Sequence, residues 1–141
     1  MKIIKALAAF AVLTCGLVAP SFAEVVVIVN PANKNTLTDR EVRKVYLGKT
    51  KAFPDGSKID AYEMSVGSSA REEFLEKVLK KDEATLNSHW ARMLFSSKAQ
   101  PPIPVGSTAE MKRKVTSDPN AIGYIDAADV DGSVKVLLRI N

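Results

Sequence analysis

The chain has a single cysteine, Cys15, and it lies inside the one long apolar run, Ala6 to Val18. That run follows Lys2 and Lys5, is too short to cross a bilayer, and is broken by Pro20. Ser21-Phe22-Ala23 then offers small residues at the two positions a signal peptidase reads. The pattern predicts a secretory signal peptide over residues 1–23, cleaved after Ala23, rather than a retained membrane anchor. Val12-Leu13-Thr14 before Cys15 does not match a lipid-attachment site. The expected mature domain, residues 24–141, therefore has no cysteine. Disulfides, thiol chemistry and cysteine metal sites are excluded, although the leader points to an exported protein.

Other residue types are scarce too. His89 is the only histidine, and one histidine without cysteine partners makes no zinc site. It sits beside Trp90 at helical spacing from Leu86, which predicts a packing role. No Gly-x-Ser-x-Gly, Walker or dinucleotide-binding glycine pattern occurs, so the chain reads as a non-enzyme with no cofactor. Asp126, Asp129 and Asp131 near Gly132 lack the spacing and the closing glutamate of a calcium loop, and read as a turn. The formal charge of +4 falls to +2 when Lys2 and Lys5 leave. The remaining bases are interspersed with acids, and no basic stripe suggests nucleic acid.

The periodicities that are present describe an α/β domain. Val25 to Val29 is a continuous β-branched run, suited to a strand buried on both faces. Thr38-Asp39-Arg40-Glu41 is a capping box, Val42, Val45 and Tyr46 share the following helical face, and Gly48 stops that helix. After the Pro54-Asp55-Gly56 turn, Lys58 to Met64 alternates as a strand, with Ile59, Ala61 and Glu63 on one face and Tyr62 and Met64 on the other. Ser69-Ala70-Arg71-Glu72 reads as a second capping box, with Phe74, Leu75, Val78 and Leu79 as the buried stripe. Glu73–Lys77 and Glu76–Lys80 are spaced for ion pairs on the wet face. Asp82 and Glu83 open a third helix with Leu86, Trp90, Met93 and Leu94 on one side. Ser96 to Pro104 reads as a loop, Ser107 to Glu110 as a third capping box with Met111 and Val115 inward, and Ile122–Ile125 and Val134–Leu138 as the last strands. The expected order is β-α-β-α-α-α-β-β.

One stretch carries chemistry. Tyr62 to Leu79 reads as the end of a strand, a Ser/Gly loop and a helix start, where unpaired N–H groups and the helix dipole favour an anion. The candidate oxyanion ligands are the Ser68 and Ser69 hydroxyls, the N–H groups of Ser69, Ala70 and Arg71, and the Arg71 guanidinium. The structural alternative makes Ser69 an ordinary N-cap and Arg71 a solvated charge. The direction of the Arg71 side chain, toward the Ser68 loop or toward water beside Glu72, separates the two.

An ordered series of short matches supports a family resemblance. It comprises Tyr46-Leu47-Gly48-Lys49, Phe53-Pro54-Asp55-Gly56, Ser68-Ser69-Ala70-Arg71-Glu72-Glu73-Phe74, Trp90-Ala91-Arg92-Met93-Leu94-Phe95, Pro101-Pro102 and Asn120-Ala121-Ile122-Gly123-Tyr124-Ile125. Together they resemble the phosphate-binding proteins of ABC transporters, within the periplasmic-binding-protein superfamily, and in particular short members in which one lobe stands alone. The resemblance implies a single lobe of the type II-like fold, a small mixed sheet flanked by helices. It also implies a periplasmic location, an ABC-type membrane permease as partner, and phosphate or a similar oxyanion as ligand. In the family lobe an Arg at the strand end and a Ser-Gly-Thr at the helix start hold the anion. Here Ser68 keeps the Ser, Ser69 and Ala70 stand at the Gly and Thr positions, and Met64 stands where the Arg would be. Arg71, on the first helical turn, is the available substitute. The resemblance leaves two functions open: a solute-binding protein, or an interaction module of the same fold that docks on a membrane partner or self-associates. A homodimer would rebuild a closed site.

Overall fold

The computed structural model describes residues 24–140. The leader expected over residues 1–23, Cys15 included, lies outside the described residues, as does Asn141. Val25–Val29 forms β1, and all five of its side chains are buried. A run with no polar face fits only an inner strand. β1 accordingly lies between β4 (Ala121–Asp126) and β5 (Lys135–Arg139), antiparallel to both. β2 (Asp60–Met64) runs parallel to β4 on one side and to β3 (Ile103–Val105) on the other. The five-stranded mixed sheet has the order β3-β2-β4-β1-β5.

Four α-helices cover it. α1 (Asp39–Tyr46) opens on the expected capping box, with the Glu41 N–H donating to Thr38 Oγ at 3.2 Å and the Thr38 N–H donating to Glu41 at 3.4 Å. Gly48, at φ +73°, ends it; a Cβ there would lie 2.7 Å from the Ala99 Cβ. α2 (Ser69–Phe74) continues into a π-helical turn, Leu75–Leu79, where the Lys80 N–H reaches back five residues to the Leu75 carbonyl. α3 (Glu83–Phe95) and α4 (Thr108–Ser117) complete the set.

Neighbouring residues on a strand point to opposite faces, and β4 shows which helices lie where. On the Gly123 face, α4 brings Met111 and Val115 so close that a Cβ on Gly123 would meet the Met111 sulfur at 2.5 Å. On the Tyr124 face, Phe74 of α2 stacks on the ring at 4.0 Å between centroids, and Tyr46 of α1 meets it edge-on at 5.8 Å. Helices thus pack on both faces of a mixed sheet, the expected α/β architecture.

Several local expectations are corrected. Ser96 to Pro104 is not loop throughout, because Ile103-Pro104-Val105 forms edge strand β3 and the sheet has five strands instead of four. An edge strand tolerates Pro104 because its missing N–H would face water. The N-cap of α2 is Ser68, one residue before the expected Ser69. Residue N3 is then Arg71, so the reciprocal half of a capping box cannot form. In the third box the Ser107 cap is present, but Glu110 accepts from the Gly106 N–H instead of the cap residue. Glu73–Lys77 pairs at 3.0 Å, whereas Glu76–Lys80 forms no ion pair among the described residues, because Lys80 leaves the helix at φ +53°. Leu94 is exposed, as is Phe95, so the inward stripe of α3 is Leu86 and Trp90 with Met93 half-buried.

Candidate functional site

The candidate site lies where β2 parts from β4. Asp60 and Ala61 pair with Ala121 and Ile122, but residues 62–64 pair only with β3. In a parallel ladder alternate residues face the same neighbour, so Tyr62 and Met64 aim their backbone groups at a β4 that is no longer there. Side chains fill the gap. Tyr46 Oη donates to the Tyr62 carbonyl at 2.8 Å, the Met64 N–H donates to Tyr124 Oη at 3.0 Å, and Arg71 NH1 donates to the Met64 carbonyl at 3.0 Å. Burial pushes both phenols above their ordinary range, so each stays a neutral hydroxyl.

Beyond Met64 the chain turns sharply. Ser65 anchors the turn on β3, its N–H and its hydroxyl both donating to the Val105 carbonyl at 3.1 and 2.8 Å. Gly67, at φ +94°, reverses the chain, and the Ser68 N–H closes on the Ser65 carbonyl at 3.2 Å. Ser68 Oγ accepts from the Arg71 N–H at 3.0 Å, so one of the expected anion donors is already used by the cap. The Ser69 and Ala70 N–H groups meet no acceptor among the described residues. Ser69 is exposed, while the Ala70 methyl is buried in the core. The turn therefore brings Ser68, Ser69 and Ala70 together at the carboxyl end of a parallel strand, where ligands of open α/β sheets gather.

Arg71 takes neither expected direction. The residue is 5% exposed, and its guanidinium runs inward under the end of β2. Nε and NH2 form a two-pronged pair with Glu83 at 2.6 and 3.0 Å, and NH1 reaches Glu63 at 3.1 Å as well as the Met64 carbonyl. The hydrogen bonds that Arg71 donates to Glu83 raise Arg71 above its already high range and hold Glu83 below the usual carboxylate range. Glu63 goes the other way, because burial pushes it up and Arg71 offsets only part of the cost. Two carboxylates face one guanidinium, and the local charge is negative.

Outside this cluster lies a groove of about 710 Å³, lined by Val66, Gly67, Leu75 and Glu83 among others. The sequence signalled neither glutamate's role. Glu63 was legible in principle, as an acid in a half-buried strand that requires a cation, but Glu83 lies twelve residues from Arg71 on another element. The His89 ring nitrogen Nε2 contacts the Leu47 carbonyl at 2.8 Å, tying α3 to the end of α1. Asp126 accepts from the Ala128 N–H, and Asp131 pairs with Lys112 at 2.9 Å. No cluster of three or more metal-binding side chains occurs among the described residues.

No family model matches the chain, and a comparison with curated proteins finds no match. Solved structures do match. An ABC-type phosphate transport receptor from Vibrio cholerae aligns over 81% of this chain and 45% of its own, with 22% identity and a TM-score of 0.63. A Clostridium perfringens structure with bound phosphate, assigned to the substrate-binding proteins of phosphate ABC transporters, aligns over 81% and 44%, with 22% identity and a TM-score of 0.65. PstS from Borrelia burgdorferi aligns over 81% and 46%, with 18% identity and a TM-score of 0.62. The chain spans less than half the length of each of these proteins. It has the periplasmic-binding-protein-like fold at the scale of one lobe, and its fold neighbours are the proteins the sequence series resembles.

Proposed function

We propose that this protein is an exported, non-enzymatic solute-binding module related to the phosphate-binding components of ABC transporters, and that it offers an oxyanion half of a site at the Ser68–Ala70 turn. The observation carrying this reading is the pair of unpartnered N–H groups at Ser69 and Ala70, beside the Ser69 hydroxyl, at the carboxyl end of β2. Donors at a helix start, aimed along the positive end of its dipole, suit phosphate or a similar oxyanion. Ser69 is exposed and Arg71 is committed to carboxylates, so binding to the isolated chain is weak. A second copy, or an ABC-type permease in the periplasm, is the surface that would complete it.

Capture of Arg71 by its own acids favours a second reading, an interaction module of the same fold that needs no ligand. Calorimetry separates them. Ser69→Pro removes the Ser69 N–H and hydroxyl, yet proline is tolerated at the first helical position, and Ser68 already has the extended conformation (φ −73°, ψ 140°) that a following proline requires. Millimolar phosphate should give heat with the wild type and none with Ser69→Pro. Absence of heat from both proteins, with a phosphate-independent dimer in solution, would establish the module reading instead.

A further inference from the structure

We infer that Glu83 is a built-in occupant of an anion pocket on Arg71, holding the place that an external oxyanion takes when Glu83 swings out. The inference goes beyond the oxyanion reading above, because it places a second anion position on Arg71. A carboxylate set against the Nε–NH2 edge of a guanidinium, with contacts of 2.6 and 3.0 Å, is itself an oxyanion in the two-pronged geometry that arginine uses for carboxylate and phosphate ligands. The pocket is therefore shaped for such a ligand and already filled.

Three features make Glu83 the displaceable partner. Its side chain is 37% exposed, against 19% for Glu63. Glu83 lines the 710 Å³ groove and Arg71 does not, so Glu83 stands between the guanidinium and the open space. Glu83 also begins α3 directly after a junction, Lys80–Asp82, in which Lys80 is in the left-handed conformation. Rotation of one side chain into the groove would expose the Nε–NH2 edge. Glu63 and the Met64 carbonyl would still hold NH1, so the cation would stay anchored and carry one carboxylate instead of two. An incoming carboxylate or phosphate then restores the original charge balance. In the wild type it must first displace the internal pair, which lowers affinity.

The test compares wild type, Glu83→Ala, Glu83→Gln and Glu83→Ala/Arg71→Met. Each is melted with sodium phosphate or sodium acetate, using sodium chloride at equal ionic strength as reference. Glu83→Ala should be stabilised by phosphate and by acetate at concentrations severalfold below any wild-type response, and the double variant should lose the response. If Glu83→Ala does not fold, Glu83→Gln takes its place; it keeps the side-chain volume and removes the charge, and should show the same gain in smaller measure. A wild type and Glu83 variants that respond equally would overturn the inference while leaving the turn as a site. Response in Glu83→Ala alone would support the inference and count against the wild-type turn. Silence from the Glu83 variants would overturn it.

Discussion

Arg71→Met removes the guanidinium and keeps most of the side-chain volume, so the change isolates polar loss from cavity formation. Four contacts disappear: two to Glu83, one to Glu63 and one to the Met64 carbonyl. Breaking a buried ion pair by deleting one partner costs about 3–5 kcal/mol, because the other charge is left uncompensated. Here the costly survivor is Glu63, which burial already pushes toward its neutral form. Glu83 is more than a third exposed and turns to water, so its share is at most about 1 kcal/mol. The expected loss is about 3 kcal/mol, a large part of a typical domain's stability. Followed by circular dichroism in urea, it lowers the midpoint by roughly 2 M at a slope of ~1.5 kcal/mol/M. The gap also narrows on acidification from pH 7 toward pH 5. With its pKa raised in the folded state, Glu63 takes up a proton there before the unfolded chain does, which relieves the variant. A loss below about 1 kcal/mol, or a gap that does not change with pH, would refute the assignment of Arg71 as the counter-charge of a buried Glu63.

Two further outcomes follow from the geometry. Glu83→Gln should lose at most about 1 kcal/mol at neutral pH. Glu83 is depressed in the folded state, so its contribution is present above the ordinary carboxylate value and fades as pH falls through the depressed one; the melting curves of the two proteins should converge in acid. Gly123→Ala should cost about 1–3 kcal/mol by overpacking, since its methyl would meet the Met111 sulfur at 2.5 Å, and in thermal melts the same change should cost less when made in a Met111→Ala background, where that clash is gone.

The elements that sequence reading located are those whose signals are local. The β-branched run of β1, the capping box of α1 and the stop at Gly48 each depend on neighbours within a few residues, and all three are present as expected. β3 was hidden because prolines at 101, 102 and 104 mask a strand that needs only three residues and one partner. The cap of α2 was misplaced by one residue because two serines stand side by side, and that single step moves Arg71 to the third helical position, with its N–H on the cap and its side chain inward. The partners of Arg71 were not legible, since Glu63 and Glu83 come from different elements and meet only in the fold. The work of the Tyr46 and Tyr124 hydroxyls was not legible for the same reason: they finish a strand whose ladder stops early. Tyr62 to Leu79 does form strand end, turn and helix start as expected, but its cation serves the fold first.

If the first turn of α2 presents free donors to an oxyanion, amide NMR registers the contact directly. With phosphate titrated into uniformly labelled protein against a chloride reference, the Ser69 and Ala70 amide protons should move downfield along a saturating curve while β1 amides stay fixed. Ser69 and Ala70 amides that remain still up to tens of millimolar phosphate, in a folded protein, would contradict it.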